Sequence, residues 1–467
     1  MRQHGGREEV ARRTGAFWVA GLAALLATGL AAAADPEGAT GAGPATLAGA
    51  PPATGAPAAQ PTTKTRGILC GQLIDGRSDR PRKNAAILIE GERIARVGGP
   101  EILPKGIEVI DLGPATVMPG FIDLHSHPLQ STDSYQIDHL RWSSAYKALR
   151  GLKAVQDNLM SGWTTLRIPG DADVYYAQFD VRRAINEGLF VGPRIAGAGH
   201  YISITGGGGD INFMAPEQHF IADGLVVDGV EEMRKAVRQE IKYGSDWIKL
   251  LVTGAFMSTG DNPADVHFSA EEVRVAVEEA ARHNVPVMAH AHAAEGIKLA
   301  IRAGVRSIEH GTFMDSEAIR LMVEKGVFLV PTIYVGDYYI ENGSASPEMQ
   351  KNVELSKKYH DTFMRRVGEA IHAGVKIGVG TDFGGYPPVL NAREFAALVK
   401  AGMSPMQAIQ AGTRVGAEAL RWDDRLGTLE AGKLADIVAV PGDPLKDISE
   451  LERVNFVMIG GKVVKRP

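Results

Sequence analysis

One cysteine, Cys70, stands among 467 residues, so no intrachain disulfide can brace the fold, even in a compartment that would permit one. An excess of charge of one sign is also missing. The formal net charge is -5 with acids and bases interspersed, which leaves no basic footprint for nucleic acid and no polybasic membrane patch. A small molecule or short peptide is the expected partner. The glycine run Gly206-Gly207-Gly208-Gly209 lacks a following Lys-Ser or Lys-Thr and a helix start, so it reads as a flexible loop and not a phosphate cradle. With 45% hydrophobic residues, the chain can bury one large core and a second small one.

Arg12-Arg13 precede an apolar stretch, 16–27, that exits through Ala31-Ala32-Ala33-Ala34 before Asp35. A basic start, a centre too short for a spanning helix and an Ala-x-Ala exit read as a cleavable export signal over 1–34, and hence a periplasmic or secreted protein. The paired arginines suit the twin-arginine route, ordinary secretion is equally compatible, and an uncleaved anchor is the alternative. Residues 35–65 are mostly Ala, Gly, Pro and Thr, a composition that cannot order itself and reads as a disordered linker.

Short alternating strands at 68–73, 86–90, 93–97 and 108–112 are echoed at 435–440 and 456–464. The two ends, 66–116 and 421–467, are expected to pair into one small β-sandwich domain. Between them, over 117–420, short apolar runs alternate with helical patterns. The runs at 165–168, 194–196, 247–252, 285–290, 307–310, 327–331 and 375–380 join the strand before His125 to make eight. Val230 to Tyr243 is amphipathic, Ser269 opens Ser-Ala-Glu-Glu as an N-cap, and Gly304 and Gly374 sit at helix ends. The fold class is therefore α/β, a (β/α)8 TIM barrel with its site at the strands' C-terminal ends. Specificity is expected in loops at 129–142, 200–226, 254–267, 333–350 and 383–390.

His125-Ser126-His127 closes the first barrel strand, and alternation at period two turns both imidazoles to one side, where they can grip a metal ion. Lys249 interrupts the apolar run 247–252; buried there, its charge must be paired or removed, and carbamylation by carbon dioxide would turn the amine into a bridging carboxylate. Snorkelling to solvent is the bland alternative. His290 and His310 end the next two strands, and Asp382 follows the eighth. Four imidazoles, a carbamate and an aspartate suit two borderline ions, with zinc expected, and a hydroxide held between them. His292 falls on the His290 side and could meet substrate. A competing register reads His292-Ala293-Ala294-Glu295 as the His-x-x-Glu of mononuclear deaminases, with Glu295 as proton shuttle. His200 and Tyr201 are candidate pocket residues, Tyr334 a candidate aromatic wall, and Arg167 and Arg393 candidate partners for a substrate carboxylate. His267, His283, His360 and His372 flank or lie on helices and read as surface groups.

The chain resembles the amidohydrolase superfamily, and within it the binuclear amide hydrolases that include Xaa-Pro and Xaa-Arg dipeptidases, ochratoxin-hydrolysing amidases and imidazolonepropionase-like proteins. The resemblance spans about 67–464 and is carried by Pro119-Gly120-Phe121-Ile122-Asp123-Leu124-His125-Ser126-His127, Asp246-Trp247-Ile248-Lys249, His290-Ala291-His292, Ile308-Glu309-His310-Gly311, Gly380-Thr381-Asp382 and Gly427-Thr428-Leu429-Glu430-Ala431-Gly432-Lys433-Leu434-Ala435-Asp436. It implies that His125 and His127 with Asp382 hold the more buried ion, that His290 and His310 hold the more exposed one, and that carboxylated Lys249 bridges them. It also implies amide hydrolysis by the shared hydroxide with Asp382 as proton shuttle, a dipeptide, N-acyl amino acid or ochratoxin-like aromatic amide as substrate, and a homo-oligomer. Two departures touch the pocket: Gly208 stands where relatives often carry a histidine, and Ile168 where they tend to carry an aspartate after the arginine. A mononuclear deaminase or cyclic amidohydrolase, or a non-catalytic metal-binding protein, are the competing readings.

Overall fold

In the computed structural model the described residues are 64–467 apart from 131, 133, 344–346 and 383–386, with the side chains of 347–349 and 352 also left aside. The export signal and nearly all of the linker expected from the sequence lie outside the described residues. Among the described residues, no helix is long and apolar enough to cross a membrane.

The two ends of the described chain meet in one eight-stranded sheet. Thr65–Leu73 pairs with Arg82–Glu90, Glu108–Asp111 and Thr116–Pro119, and the last of these runs antiparallel to Ile437–Val440. Phe456–Ile459 and Lys462–Lys465 complete that side, and Arg93–Gly98 the other. Ile68, Ile87, Val117, Ile437 and Phe456 are fully buried in its core, while the alternate residues Met118, Val438 and Val457 are buried in the larger core, so the central strands are covered on both faces.

Parallel strands with intervening helices make up the larger part, so the chain is α/β. Phe121–Asp123, Trp163–Pro169 and Arg194–Ala198 form one run; Tyr201–Ser203, Ile248–Leu251, Val287–Ala291, Ser307–His310 and Phe328–Val330 follow one another in a second. The N–H groups of Asp246 and Trp247 donate to Gly197 O, at 3.0 and 3.2 Å. At the other end Leu329 bridges Ile377, and Leu124 N donates to Val379 O at 2.9 Å. Helix signals in the sequence are realised: Val230–Lys242 is a helix, Ser269 and Glu272 form a reciprocal capping box, and Gly304 caps its helix at φ 99°.

Three local readings change. The strand before His125 divides at Gly120: Thr116–Pro119 joins the end sheet and Phe121–Asp123 the parallel run. A Cβ at Gly120 would collide with Thr164, so only glycine lets the chain switch sheets there. The eighth run holds a single ladder bridge, Leu329 to Ile377, and its residues Gly378 and Gly380 are pressed against Leu124, Val330 and His125. Finally, 333–350 is mostly helical, with helices Ile333–Asn342 and Pro347–Ala373, and the expected loop at 129–142 contains helix Tyr135–Arg141.

Candidate metal centre

His125 and His127 leave the end of Phe121–Asp123 and are held there by a buried carboxylate. Asp123 Oδ1 accepts from the N–H groups of His125 and Thr381, each at 3.0 Å, and Oδ2 accepts from the Thr381 hydroxyl at 2.6 Å. Burial pushes the Asp123 carboxyl up to about 7. Because Asp382 N donates to His125 O at 2.7 Å, the His-x-His segment and Asp382 form one unit. Asp382 Oδ1 lies 3.4 Å from Nε2 of both His125 and His127. Burial opposes its ionisation, but His125, His127 and Lys249 outweigh that and hold the carboxyl well below the usual range.

His290, His292 and His310 each place a nitrogen within 4.8 Å of the others, and His125, His310 and Asp382 make a second such group, so His310 belongs to both. Each imidazole spends one nitrogen on an orienting partner. His125 Nδ1 meets Glu309 Oε2, His127 Nδ1 meets Gly170 O, His292 Nδ1 meets Thr312 Oγ1 and His310 Nδ1 meets Thr332 Oγ1, all at 2.8 Å. His290 uses Nε2 instead, 3.1 Å from Gly254 O. In every case the other nitrogen is left for the cluster, the arrangement that orients histidine ligands. Burial, then neighbouring positive groups, hold His125, His290 and His310 well below their ordinary values and bring His292 down to about 3. Imidazoles each held by one nitrogen, with the other free to bind once an ion displaces any proton there, and one carboxylate are a donor set that fits divalent ions of zinc's softness.

Lys249 is 2% exposed and lines the same cavity as these groups. Burial pulls its ammonium down to about 8, although Glu309 and Asp382 favour the charge. A lysine with that acidity has a substantial neutral fraction near pH 8, the form that reacts with carbon dioxide. His310, Thr332 and Asp382 all have positive φ, at 69°, 53° and 51°. Such strain costs of order 1–3 kcal/mol per residue and gathers at functional sites.

His125, His127, Lys249, His290, His310 and Asp382 therefore converge, and His292 and Tyr201 line the same cavity. Four expected substrate contacts do not line it. Arg167 is fully buried beneath His125: Nη2 donates to both oxygens of Glu309 at 2.8 Å, Nη1 to Ser307 Oγ at 3.0 Å and Nε to Leu124 O at 2.6 Å. His200 turns away where Glu240 takes the Gly199 and His200 N–H groups and its ring Nδ1, the last at 2.6 Å. Tyr334 accepts from Arg393 at 3.1 Å, and Arg393 also pairs with Glu452 at 3.2 Å. Glu295, the shuttle of the deaminase reading, is 74% exposed and paired with Lys298 at 2.6 Å. Two histidines read as surface groups are not: the His267 side chain is 7% exposed and lies 3.2 Å from Asp261, and His360 lines the cavity. Glu309 and Asp123 were not singled out from the sequence, though an acid inside a buried strand run, as at Ile308-Glu309-His310, is itself a signal that a partner is waiting.

Parallel strands delivering histidines, a lysine and an aspartate to one cavity mark an α/β hydrolase whose histidine cluster could bind metal, and residues 116–464 match the Amidohydrolase family: the chain belongs to that family. It is 34% identical over 439 residues to "Ochratoxinase" of Aspergillus niger, with 88% of each chain covered. A Xaa-Pro dipeptidase structure with methionine bound in its active site is 37% identical at a TM-score of 0.80, covering 86% of this chain and all (100%) of that one. A prolidase complexed with N-methylphosphonate-L-proline is 32% identical, also at 0.80, with 86% and 100% covered.

Proposed function

We propose that this protein is a metal-dependent hydrolase that cleaves an amide or peptide C–N bond of a small substrate. The observation that carries the reading is the convergence of His125, His127, Lys249, His290, His310 and Asp382 on one cavity, with one nitrogen of each imidazole held by a partner and the other outside that bond. We further propose that the parallel strands close into a (β/α)8 barrel, supported by the Leu124–Val379 and Asp246–Gly197 hydrogen bonds that link the ends of its two runs. His125 and His127 with Asp382 would hold one ion, His290 and His310 a second, and carboxylated Lys249 would join them.

Divalent ions held there would supply a water acidified to near neutrality and an electrophilic pull on the scissile carbonyl. The protein's own groups do the rest. Asp382 Oδ1, ionised and facing two imidazoles, accepts a proton and returns it to the departing nitrogen, because an amide anion is too poor a leaving group to depart unprotonated. His292, fixed through Thr312, presents its Nε2 to the substrate carbonyl or carboxylate. Export to the periplasm or outside the cell, and assembly into a homo-oligomer, complete the proposal.

The test is a library of dipeptides and N-acyl amino acids assayed against protein loaded with zinc in bicarbonate. Turnover that disappears on chelation and returns with zinc, cobalt or manganese is expected; full activity in demetallated protein, or no turnover of any member, contradicts the reading. A second arrangement, one ion on His290, His292 and His310, has in its favour the 4.8 Å grouping of those nitrogens. Metal content near one per chain would select it.

A further inference from the structure

Opposite the metal ligands the cavity is walled by two helices, Ile333–Asn342 and Pro347–Ala373. Ser356, Tyr359, His360 and Phe363 recur at i, i+3, i+4 and i+7, so a single face of the longer helix is turned inward. From the shorter one Ile333, Val335, Gly336, Tyr339 and Ile340 line it. His360 Nε2 lies 2.8 Å from Asp337 Oδ1 and pins the two helices to each other. Phe256 continues this surface down to the ligands: its ring meets His292 edge-on at 4.7 Å and lies 6.3 Å from Tyr359, which itself meets Phe313 at 4.8 Å. Phe256, Tyr359 and Phe363 each keep part of their surface open, and all three line the cavity.

Charge is scarce on this wall. Among the described residues lining the cavity, Lys249 and Asp382 are the only lysine, arginine, aspartate or glutamate, and both sit within the ligand group. The ring nitrogens of His360 face Asp337 and Asp361. Lys358 Nζ stands 4.8 Å from the Tyr359 ring centroid but does not line the cavity, so among the described residues a charged substrate side chain entering here would shed water with no counter-ion on the wall, whereas an apolar one would cover partly open aromatic surface.

Resting on the hydrolase reading above, we propose that the substrate carries a bulky, uncharged apolar group beside the scissile bond, and that Phe256, Tyr359 and Phe363 are its specificity-determining seat. Removing an aromatic ring from water on such a wall corresponds to roughly 10- to 100-fold in kcat/KM. The recognition element is then the apolar group, in place of the arginine-bound carboxylate expected from the sequence.

The experiment compares kcat/KM of the zinc-loaded, bicarbonate-treated holoenzyme for N-acetyl-Phe, N-acetyl-Leu, N-acetyl-Gly, N-acetyl-Arg and N-acetyl-Glu, together with N-benzoyl-Gly in case the ring belongs on the acyl side. The expected result is a preference of roughly 10- to 100-fold for an aromatic member over N-acetyl-Gly, with Arg and Glu no better than Gly. Tyr359→Ala and the milder Tyr359→Leu should each shrink that ratio, Ala by about 10-fold. Preference for Arg or Glu, or an aromatic-to-glycine ratio unmoved in both variants, overturns the inference while leaving the hydrolase reading intact. Failure of the wild-type holoenzyme to cleave any member, or any of the wider dipeptide library, overturns both.

Discussion

Asp382 sits where two imidazoles and a buried lysine together overcome the cost of burying a carboxylate, and its backbone is held at φ 51° to keep it there. Asp382→Asn preserves the shape but removes the proton acceptor. Turnover should fall roughly 100- to 10,000-fold with KM moving far less, as steady-state kinetics on metal-loaded protein will show. A variant with wild-type kcat would remove Asp382 from the proton path. Lys249 gives a pH dependence whose sign is fixed by its acidity. Its folded pKa is about 8 against 10.5 for a free lysine, so the folded chain loses this proton first and the neutral amine grows as pH rises through 8. Reactivation of metal-free protein by zinc should therefore require bicarbonate and accelerate from pH 7 to pH 9; a rate indifferent to both contradicts carbamylation. Glu309 balances Arg167 and orients His125 at once. Glu309→Gln strands a buried guanidinium, which costs about 3–5 kcal/mol, and should weaken metal binding roughly 10- to 100-fold. Urea unfolding and a metal titration measure the two effects separately, and an unchanged midpoint and affinity would show the pair to be idle.

The residues that converge on the cavity were legible because each breaks a local rule: histidines at strand ends, a lysine inside an apolar run, an aspartate after a glycine-rich strand. What sequence withholds is the partner on the far side. Arg167 is separated from Glu309 by 142 residues, and His200 from Glu240 by 40, so both looked available for substrate when each was already engaged.

At the scale of elements, the eighth parallel segment works by closeness. A Cβ on Gly380 would stand 2.8 Å from His125 Cβ and collide with Val330, so the absence of a side chain is what lets this segment press Asp382 against the first strand's exit. Gly380→Ala should displace His125 and lower metal occupancy at least several-fold in elemental analysis, while the far-ultraviolet dichroism stays native; full occupancy would show that the segment has slack. The strands themselves follow from apolar runs bounded by turns, and the helices from Ser269, Gly304 and the amphipathic repeat. Ile333–Asn342 and Pro347–Ala373 were harder to see. Tyr334, Tyr338 and Tyr339 are poor intrinsic helix formers and Gly336 a worse one, so packing over the cavity, and not propensity, decides that stretch.

For the molecule as a whole, the two ends of the described chain share one sheet, which fixes where the first parallel strand emerges and so where His125 begins. Without disulfides, the described chain relies on its apolar cores and, in this account, on ions that bind the folded form and stabilise it by mass action. Thermal midpoints should rise with zinc in bicarbonate and fall on chelation. The most direct measurement is anomalous diffraction at the zinc edge from crystals grown with zinc and bicarbonate. Two peaks are expected, one beside His125, His127 and Asp382 and one beside His290 and His310, with extra density on Lys249 Nζ between them; a lone peak on His290, His292 and His310 beside an unmodified lysine would contradict the two-ion centre.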